Sequence, residues 1–480
     1  MTERHGIFVT EVPTKVLADQ GQNFTLPVVF GTAPVHLTAA AAVNVPIFCS
    51  SFDEAKAAFG YSDDWGSYTL CEFMQAYFQK YRQRNVVFVN VLNPAIHKTP
   101  VAPESVTVTS GVALVEVTGI IKTTVVVTSA DGATTYNPSV DYSAGYNAAG
   151  YLVVTRRSTG SIPSNVTQLR VGYDKVNPSA VTSMDIIGGA DGGNLTGLEL
   201  LNQVFPRFGV VPDLVLVPGF AQDPVVAAVA AAKAESINGG FKAEVVVDLN
   251  VDQIDQHAAA PAWKRGNSFT SRQQVVCYGK AISGSKTYWL SSHVASRMCA
   301  VDAANNGIPY VSPSNKPLLI DGMVAKDGAE LYLGQNEASH LNSEGIVTAI
   351  NFSGWRAWGN RTGAFPDEKD VVNAFIPVRR MMNWLNNQII LRTWSRVDTP
   401  ITKRLIESIT DDINIWLNGL QGSGALVGGR VEFRADENSE TDLLDGKVTF
   451  HVFVAPPTPA QAIDFLVEYD TNYLGGLLPA

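Results

Sequence analysis

The sequence predicts a multidomain α/β protein: an α/β core interrupted by an all-β inserted domain, an α+β C-terminal domain, and extended N- and C-terminal arms. Three observations lead there. At 480 residues the chain exceeds what one hydrophobic core holds, since single cores stop growing near roughly 250–300 residues. Apolar runs alternating with helical periodicity occur on both sides of a stretch, about Val101 to Val176, in which Thr, Val, Ser and Gly dominate. Finally, both chain ends carry short strand-like runs set off by spacers containing Gly, Asn or Pro.

In chain order, Gly6 to Val12 reads as a strand closed by Pro13, with no neighbour in sequence to pair with. This run, carrying Ile7, Phe8, Val9 and Val12, makes residues 1–25 an arm. The core follows as 26–97 and 178–370. Its first elements are a strand at Val28 to Phe30 and a helix ending at Phe59, which opens at Ser51 with the spacing Ser-x-x-Glu of a capping box to Glu54. A helix from about Tyr68 to Gln83 leads into Asn85 to Val91, an apolar run typical of a strand covered on both faces.

Alternation in Val106-Thr107-Val108 and turns such as Asp131-Gly132 mark 98–177 as the β insertion, whose ends should lie close together. Core elements then resume: a helix near Leu195 to Phe205, a strand Asp213 to Val217, an Ala-rich helix Pro224 to Ser236 and a strand Ala243 to Leu249.

The C-terminal domain, 371–480, opens with a helix from Pro377 to about Trp394 with Val378, Met382, Leu385 and Ile389 on one face. A second begins at Thr399-Pro400 and carries Leu405, Ile409, Ile413, Trp416 and Leu420 at helical spacing, so the two should pack antiparallel. Val448, Phe450, Val452 and Val454 then alternate in one strand. Pro456-Pro457-Thr458-Pro459 breaks the chain, and Ile463, Phe465, Val467 and Tyr469 alternate in another.

Composition narrows the function. A net charge of -10 argues against a duplex nucleic-acid partner, which needs a clustered cationic surface. The charged fraction, 17%, falls below the roughly 25% of an average soluble domain, which points to surface covered by other copies. The start lacks the apolar core of a secretory signal, and the most apolar stretch, Val225 to Ala232, is far short of the ~20 residues that span a bilayer. Cys49, Cys71, Cys277 and Cys299 fit no CxxC spacing and suit reduced thiols.

Chemistry-bearing patterns are sparse. Gly279 to Lys286 misses the phosphate-loop spacing and reads as a strand with a Gly turn. Gly188 to Asn194 reads as a connecting loop rather than an anion nest, and the seven histidines include no pair at i, i+4, so no metal site or cofactor is expected. Asp411-Asp412 reads as a solvated helix face, and Trp355 and Trp358 as packing rather than a stacking platform. Arg379, Arg380, Arg392, Arg396, Lys403 and Arg404 face only Asp398, whereas from Arg430 to Asp470 nine acids face three cations. Surface scatter explains this as well as complementarity between copies does.

Several segments nonetheless resemble one family. Gly6-Ile7-Phe8-Val9-Thr10-Glu11, Pro27-Val28-Val29-Phe30-Gly31-Thr32-Ala33-Pro34, Val378-Arg379-Arg380-Met381-Met382-Asn383-Trp384, Ile415-Trp416-Leu417-Asn418-Gly419-Leu420, Gly428-Gly429-Arg430-Val431-Glu432-Phe433 and Asp442-Leu443-Leu444-Asp445-Gly446-Lys447 are similar to the tail sheath proteins of contractile bacteriophages and R-type bacteriocins. The likeness runs from Gly6 to Leu474 and no motif of the β insertion carries it.

The resemblance implies a structural protein without catalytic residues, in which hexameric rings stack helically around a tail tube and contract to drive it through a bacterial envelope. It implies as partners further copies of the chain, the tail tube protein, and baseplate and tail terminator proteins, with no nucleic acid and no membrane insertion. The location implied is the virion tail or bacteriocin particle, assembled in the host cytoplasm. The arms would pair as strands with neighbouring subunits, the insertion would face outward, and residues 371–480 would be the assembly domain. A contact with the tube or a subunit falls to Arg379, Arg380, Arg392 and Arg396. The alternative is a cytoplasmic α/β enzyme with dispersed site residues, which a large empty cleft would favour.

Overall fold

The computed structural model describes residues 23–39 and 42–473, with the backbone alone at Asp191. The Ile7, Phe8, Val9 and Val12 run therefore lies outside the described residues. Among those described, β1 (Pro27–Gly31), β2 (Ile47–Cys49), β3 (Val86–Asn90), β4 (Leu214–Leu216), β5 (Glu244–Asp248), β6 (Gln274–Cys277), β7 (Ile346–Asn351) and β8 (Trp355–Trp358) form one sheet in the order β2-β3-β1-β4-β5-β6-β7-β8. The six inner strands are parallel and the two outer ones antiparallel.

Successive residues of a strand point to opposite faces, yet β1, β3 and β5 are buried at every position, so both faces of the sheet are covered. That is why these strands read as unbroken apolar runs. The helices α1 (Phe52–Phe59), α2 (Thr69–Met74), α3 (Pro224–Glu235) and α4 (Leu290–Ala303) contribute to this core. Asp223 caps α3, its carboxylate accepting the Val225 N–H, with Pro224 in the first turn where its missing donor costs nothing.

Between β3 and β4, seven strands from Lys98–Thr109 to Gln168–Val176 form a second, antiparallel sheet around their own buried cluster, which includes Val127, Tyr142, Leu152, Val154 and Val171. The entering and leaving strands pair along their length, with Lys98 opposite Val176.

Beyond the core, α5 (Ile376–Thr393) and α6 (Lys403–Gly422) run in opposite senses, with Trp384 beside Trp416 and Arg396 beside Asp412. A two-stranded antiparallel sheet, β9 (Gly428–Glu432) and β10 (His451–Ala455), packs on them through Val431, Val452 and Val454.

Several local expectations are corrected. The capping box is half formed: the Ser51 hydroxyl accepts the Glu54 N–H, but the Glu54 carboxylate takes the Ser50 N–H instead, 2.8 Å away. The Tyr68 to Gln83 helix is α-helical only over Thr69–Met74 and widens into a π-helical turn over Gln75–Lys80. The Leu195 to Phe205 segment is a 3-10 stretch, Gly197–Gln203, followed by a short α-helix, Val204–Phe208. The Gly188 to Asn194 loop closes a small hairpin, Ala190 pairing with Leu195.

The terminal extended segment differs most. The Val448 to Val454 alternation forms a strand only from His451, and Ile463 to Tyr469 joins no ladder with any described residue. A strand needs a partner for its N–H and C=O groups, and no described part of the chain supplies one.

Because paired residues of adjacent strands lie about 4.5–5.5 Å apart, a short Gly linker can replace Thr99 to Lys175. The shortened chain should keep a cooperative thermal unfolding transition of the core, followed by circular dichroism. Loss of that transition would mean the core depends on the insertion to fold.

Candidate assembly interface

The chain enters the core at a buried polar junction. Arg380, on the first half of α5, is 5% exposed, and its guanidinium makes a two-pronged contact with the fully buried Asp302 near the end of α4, Nη1 lying 3.1 Å from Oδ1. The Thr25 hydroxyl donates to the same carboxylate at 2.6 Å, and the Leu26 N–H donates to Asp213 Oδ2 at 2.8 Å. Gly307 makes room for this crossing. Its φ of +77° is one that side chains rarely adopt, and an added Cβ would come within 2.4 Å of Asn23.

Glu244, first residue of β5, completes the junction. Arg380 Nε approaches its Oε2 to 3.9 Å, beyond hydrogen-bond reach, and neither Glu244 oxygen accepts a hydrogen bond among the described residues. Burial pushes its carboxyl up to about 8, against the pull of Arg380 and Arg379. Two further buried carboxyls behave alike at the N-terminus of α4. Asp248 accepts the Ser291 N–H and Glu72 accepts the Trp289 N–H, each at 2.9 Å, so both satisfy the helix's first donors. Burial raises Glu72 to about 8 and Asp248 to about 7.

The expected basic face on α5 is not a face. Arg380 is spent on Asp302, and Arg379, also buried, donates to Asn383 and Asn373 at 3.2 Å each. The cause is that α5 lies between the core and α6. Its Asn387 takes both the N–H and the C=O of Lys242 at 2.8 Å, while Met381 and Leu385 pack towards α6. Arg392 stacks over Trp416, 4.8 Å from its centroid, and Arg396 pairs with Asp412 at 2.8 Å, a surface contact worth ~0–1 kcal/mol. A lone Asp at the end of the apolar helix Val294 to Ala303 was the signal for this pair, but nothing in the spacing linked it to Arg380.

At the other end of this unit, β9 and β10 make a sheet of only two strands among the described residues, held by its packing on α5 and α6. Beyond it the Ile463 to Tyr469 segment stands away from the body: Phe465 is 85% and Val467 94% exposed, with Ile463 and Tyr469 similarly open. An apolar segment of alternating pattern next to an unfinished sheet is what association between copies requires.

A cleft of about 1430 Å³ does open between the core and the insertion, lined by His36, Tyr61, Asp63, Asp64, Tyr146 and Lys175 among others. Its chemistry is poor. Burial lowers His36 to about 4, and its Nδ1 has no hydrogen-bond partner among the described residues. Among the described residues no three His, Cys, Asp or Glu side chains gather where a metal could bind, and no helix is long and apolar enough to cross a membrane.

No family model matches the chain. The tail sheath protein of Burkholderia phage BcepMu is 28% identical over 456 residues, covering 92% of this chain and 92% of that protein. The PVC sheath complex of an extracellular contractile injection system, in its contracted state, superposes with a TM-score of 0.58 at 14% identity over 98% of this chain and 99% of that one. The contracted helical sheath of the anti-feeding prophage gives 0.57 at 13% identity over 98% and 100%. That phage tail sheath protein is thus a homologue of this chain along nearly all its length, and the two structures share its mixed α/β fold.

The junction yields two measurements. Asp302→Ala leaves Arg380 buried and unpaired and should cost about 3–5 kcal/mol in denaturant unfolding; a loss below ~1 kcal/mol would remove the pair from the account. Glu72, Asp248 and Glu244 have folded-state values above their ordinary 4.5, 3.8 and 4.5. Folding therefore takes up protons, and stability from these groups is full below about pH 4 and is lost as pH rises through 7 to 8. Glu244→Gln should flatten part of that loss between about pH 5 and 8; an unchanged slope would mean Glu244 stays ionised.

Proposed function

We propose that this chain, a homologue of phage tail sheath proteins, is the subunit of a contractile sheath. Six copies form each ring, rings stack helically around a tail tube, and contraction drives the tube through a bacterial envelope. Its partners are other copies of itself, the tail tube protein, and baseplate and tail terminator proteins. It acts in the tail of a virion or bacteriocin particle assembled in the host cytoplasm, by structure rather than catalysis. Residues 1–25 are the N-terminal arm, 26–97 and 178–370 the core, 98–177 an insertion facing outward, and 371–480 the assembly domain with its arm. Of the four arginines singled out, a tube or subunit contact is assigned only to Arg392 and Arg396.

The observation that carries this reading is the two-stranded sheet beside an exposed, alternating tail. A neighbour's arm of about seven residues gains several backbone hydrogen bonds at ~0.5–1.5 kcal/mol each and loses ~1–2 kcal/mol of chain entropy per residue ordered. Hydrogen bonding alone does not hold it. Burying Phe465 and Val467 adds roughly 1.5–3 kcal/mol per side chain and tips the balance. Association is then weak per contact and cooperative over the assembly, and arms hold subunits together while their bodies move.

Ending the chain after Pro459 removes Ile463, Phe465, Val467 and Tyr469, which are exposed within the subunit, so the melting transition should not move. Negative-stain microscopy should show sleeves with the full chain and isolated subunits with the shortened one. Deleting Met1 to Gly21 should have the same effect. Sleeves of normal length from either truncation would refute strand exchange.

A further inference from the structure

We propose that the joint between the body and α5 is a binding site for one water molecule, held between the Glu244 carboxyl, the Nε edge of Arg380 and Asp213. The site belongs to the single subunit and needs no partner chain.

Two independent observations meet there. Glu244 is 1% exposed, and neither of its side-chain oxygens has a hydrogen-bond partner among the described residues. Burying such a group unsatisfied costs about 1–3 kcal/mol or more, so buried polar atoms nearly always bind protein or ordered water. A small cavity opens against this same carboxyl, where the N-terminal ends of β4 and β5 face α5, and Asp213, Arg380, Asn383 and Pro309 help to line it. It leaves about 10 Å³, near the smallest space that holds a water. Its rim at Lys242 and Trp384 is only half-buried, so solvent can reach it.

The side chains of the joint cannot satisfy Glu244 by themselves. Arg380 is aligned on Asp302 through Nη1 and Nη2, and its planar fork then leaves Nε 3.9 Å from Glu244 Oε2. That gap is too long for a direct hydrogen bond and is the kind that a bridging water closes. Asn383 is committed elsewhere: its Oδ1 accepts from Arg379 Nε at 3.2 Å and its Nδ2 donates to Gln273 at 3.0 Å.

Charge selects the occupant. A metal ion or an ammonium ion would sit against the Arg380 guanidinium with Lys242 at the rim, and an anion would meet the carboxyls of Glu244 and Asp213. Water is neutral and both donates and accepts. It can accept from Arg380 Nε and donate to Glu244 and to Asp213, the three partners usual for a buried water. It also serves either form of Glu244, donating to the carboxylate or accepting from the neutral acid that burial favours.

A density map of the full chain, as subunit or as sleeve, at about 2 Å or better tests this. One peak should lie about 2.6–3.2 Å from a Glu244 oxygen and from Arg380 Nε. No peak there, in a map that shows other buried waters, would overturn the site, as would Arg380 Nε in direct contact with Glu244. A peak ringed by five or more oxygens at about 2.3–2.6 Å would overturn it in favour of a cation. In solution, oxygen-17 relaxation dispersion counts long-lived internal waters. Glu244→Gln keeps polar atoms in place and should keep the count, whereas Glu244→Leu should lower it by about one. An unchanged count in a folded Glu244→Leu chain would contradict the proposal, and should that variant not fold, the map of the unaltered chain decides.

Discussion

The contact between Arg380 and Asp302 is the constraint on which the rest of the structure depends. Two opposite charges removed from water are tolerated only as a hydrogen-bonded pair, and taking away one partner leaves the other stranded at a cost of several kcal/mol. Around this pair converge Thr25 and Leu26 near the start of the described residues, the end of α4, the start of β5 and the helix α5. The root of the N-terminal segment and the root of the C-terminal helices are therefore held at one place. In a sheath, load entering through either arm would reach the body there.

Asparagine does a second job. Asn387 binds both backbone groups of Lys242, Asn414 those of Val431 and Asn438 those of Thr449. Each amide stands where a neighbouring strand might, so strand ends inside one subunit are satisfied without pairing to another chain. At the terminal sheet, the outer side of Val452 and Val454 has no partner strand among the described residues, nor does the extended segment Ile463 to Tyr469. In a sheath subunit, as proposed, such satisfied strand ends would guard against association at random.

Much of the body was legible in its sequence. The unbroken apolar runs at Val28 to Phe30, Val86 to Val89 and Val245 to Val247 are strands buried on both faces, and the Thr- and Val-rich stretch between them forms a separate sheet. The arginines were misread for an identifiable reason. Periodicity marks an apolar stripe and assigns the remaining face to water, whereas α5 is covered on two sides and buries Arg379, Arg380, Asn383 and Asn387 against the core. Their partner Asp302 is distant in sequence and announces itself by no spacing. The tail failed as a strand for the opposite reason: its pattern is right, but no described residue of the chain pairs with it.

The central claim is that the exposed tail of one subunit completes the sheet of another. Paired cysteines test it most directly, since Cys49, Cys71, Cys277 and Cys299 are all buried and leave little background. In a chain carrying Val454→Cys and Val467→Cys, oxidised sleeves should run on a denaturing gel as a ladder of covalently linked subunits that reductant collapses to one band. A single monomer band from intact oxidised sleeves, unchanged when the second cysteine is moved to Phe465, would contradict the account.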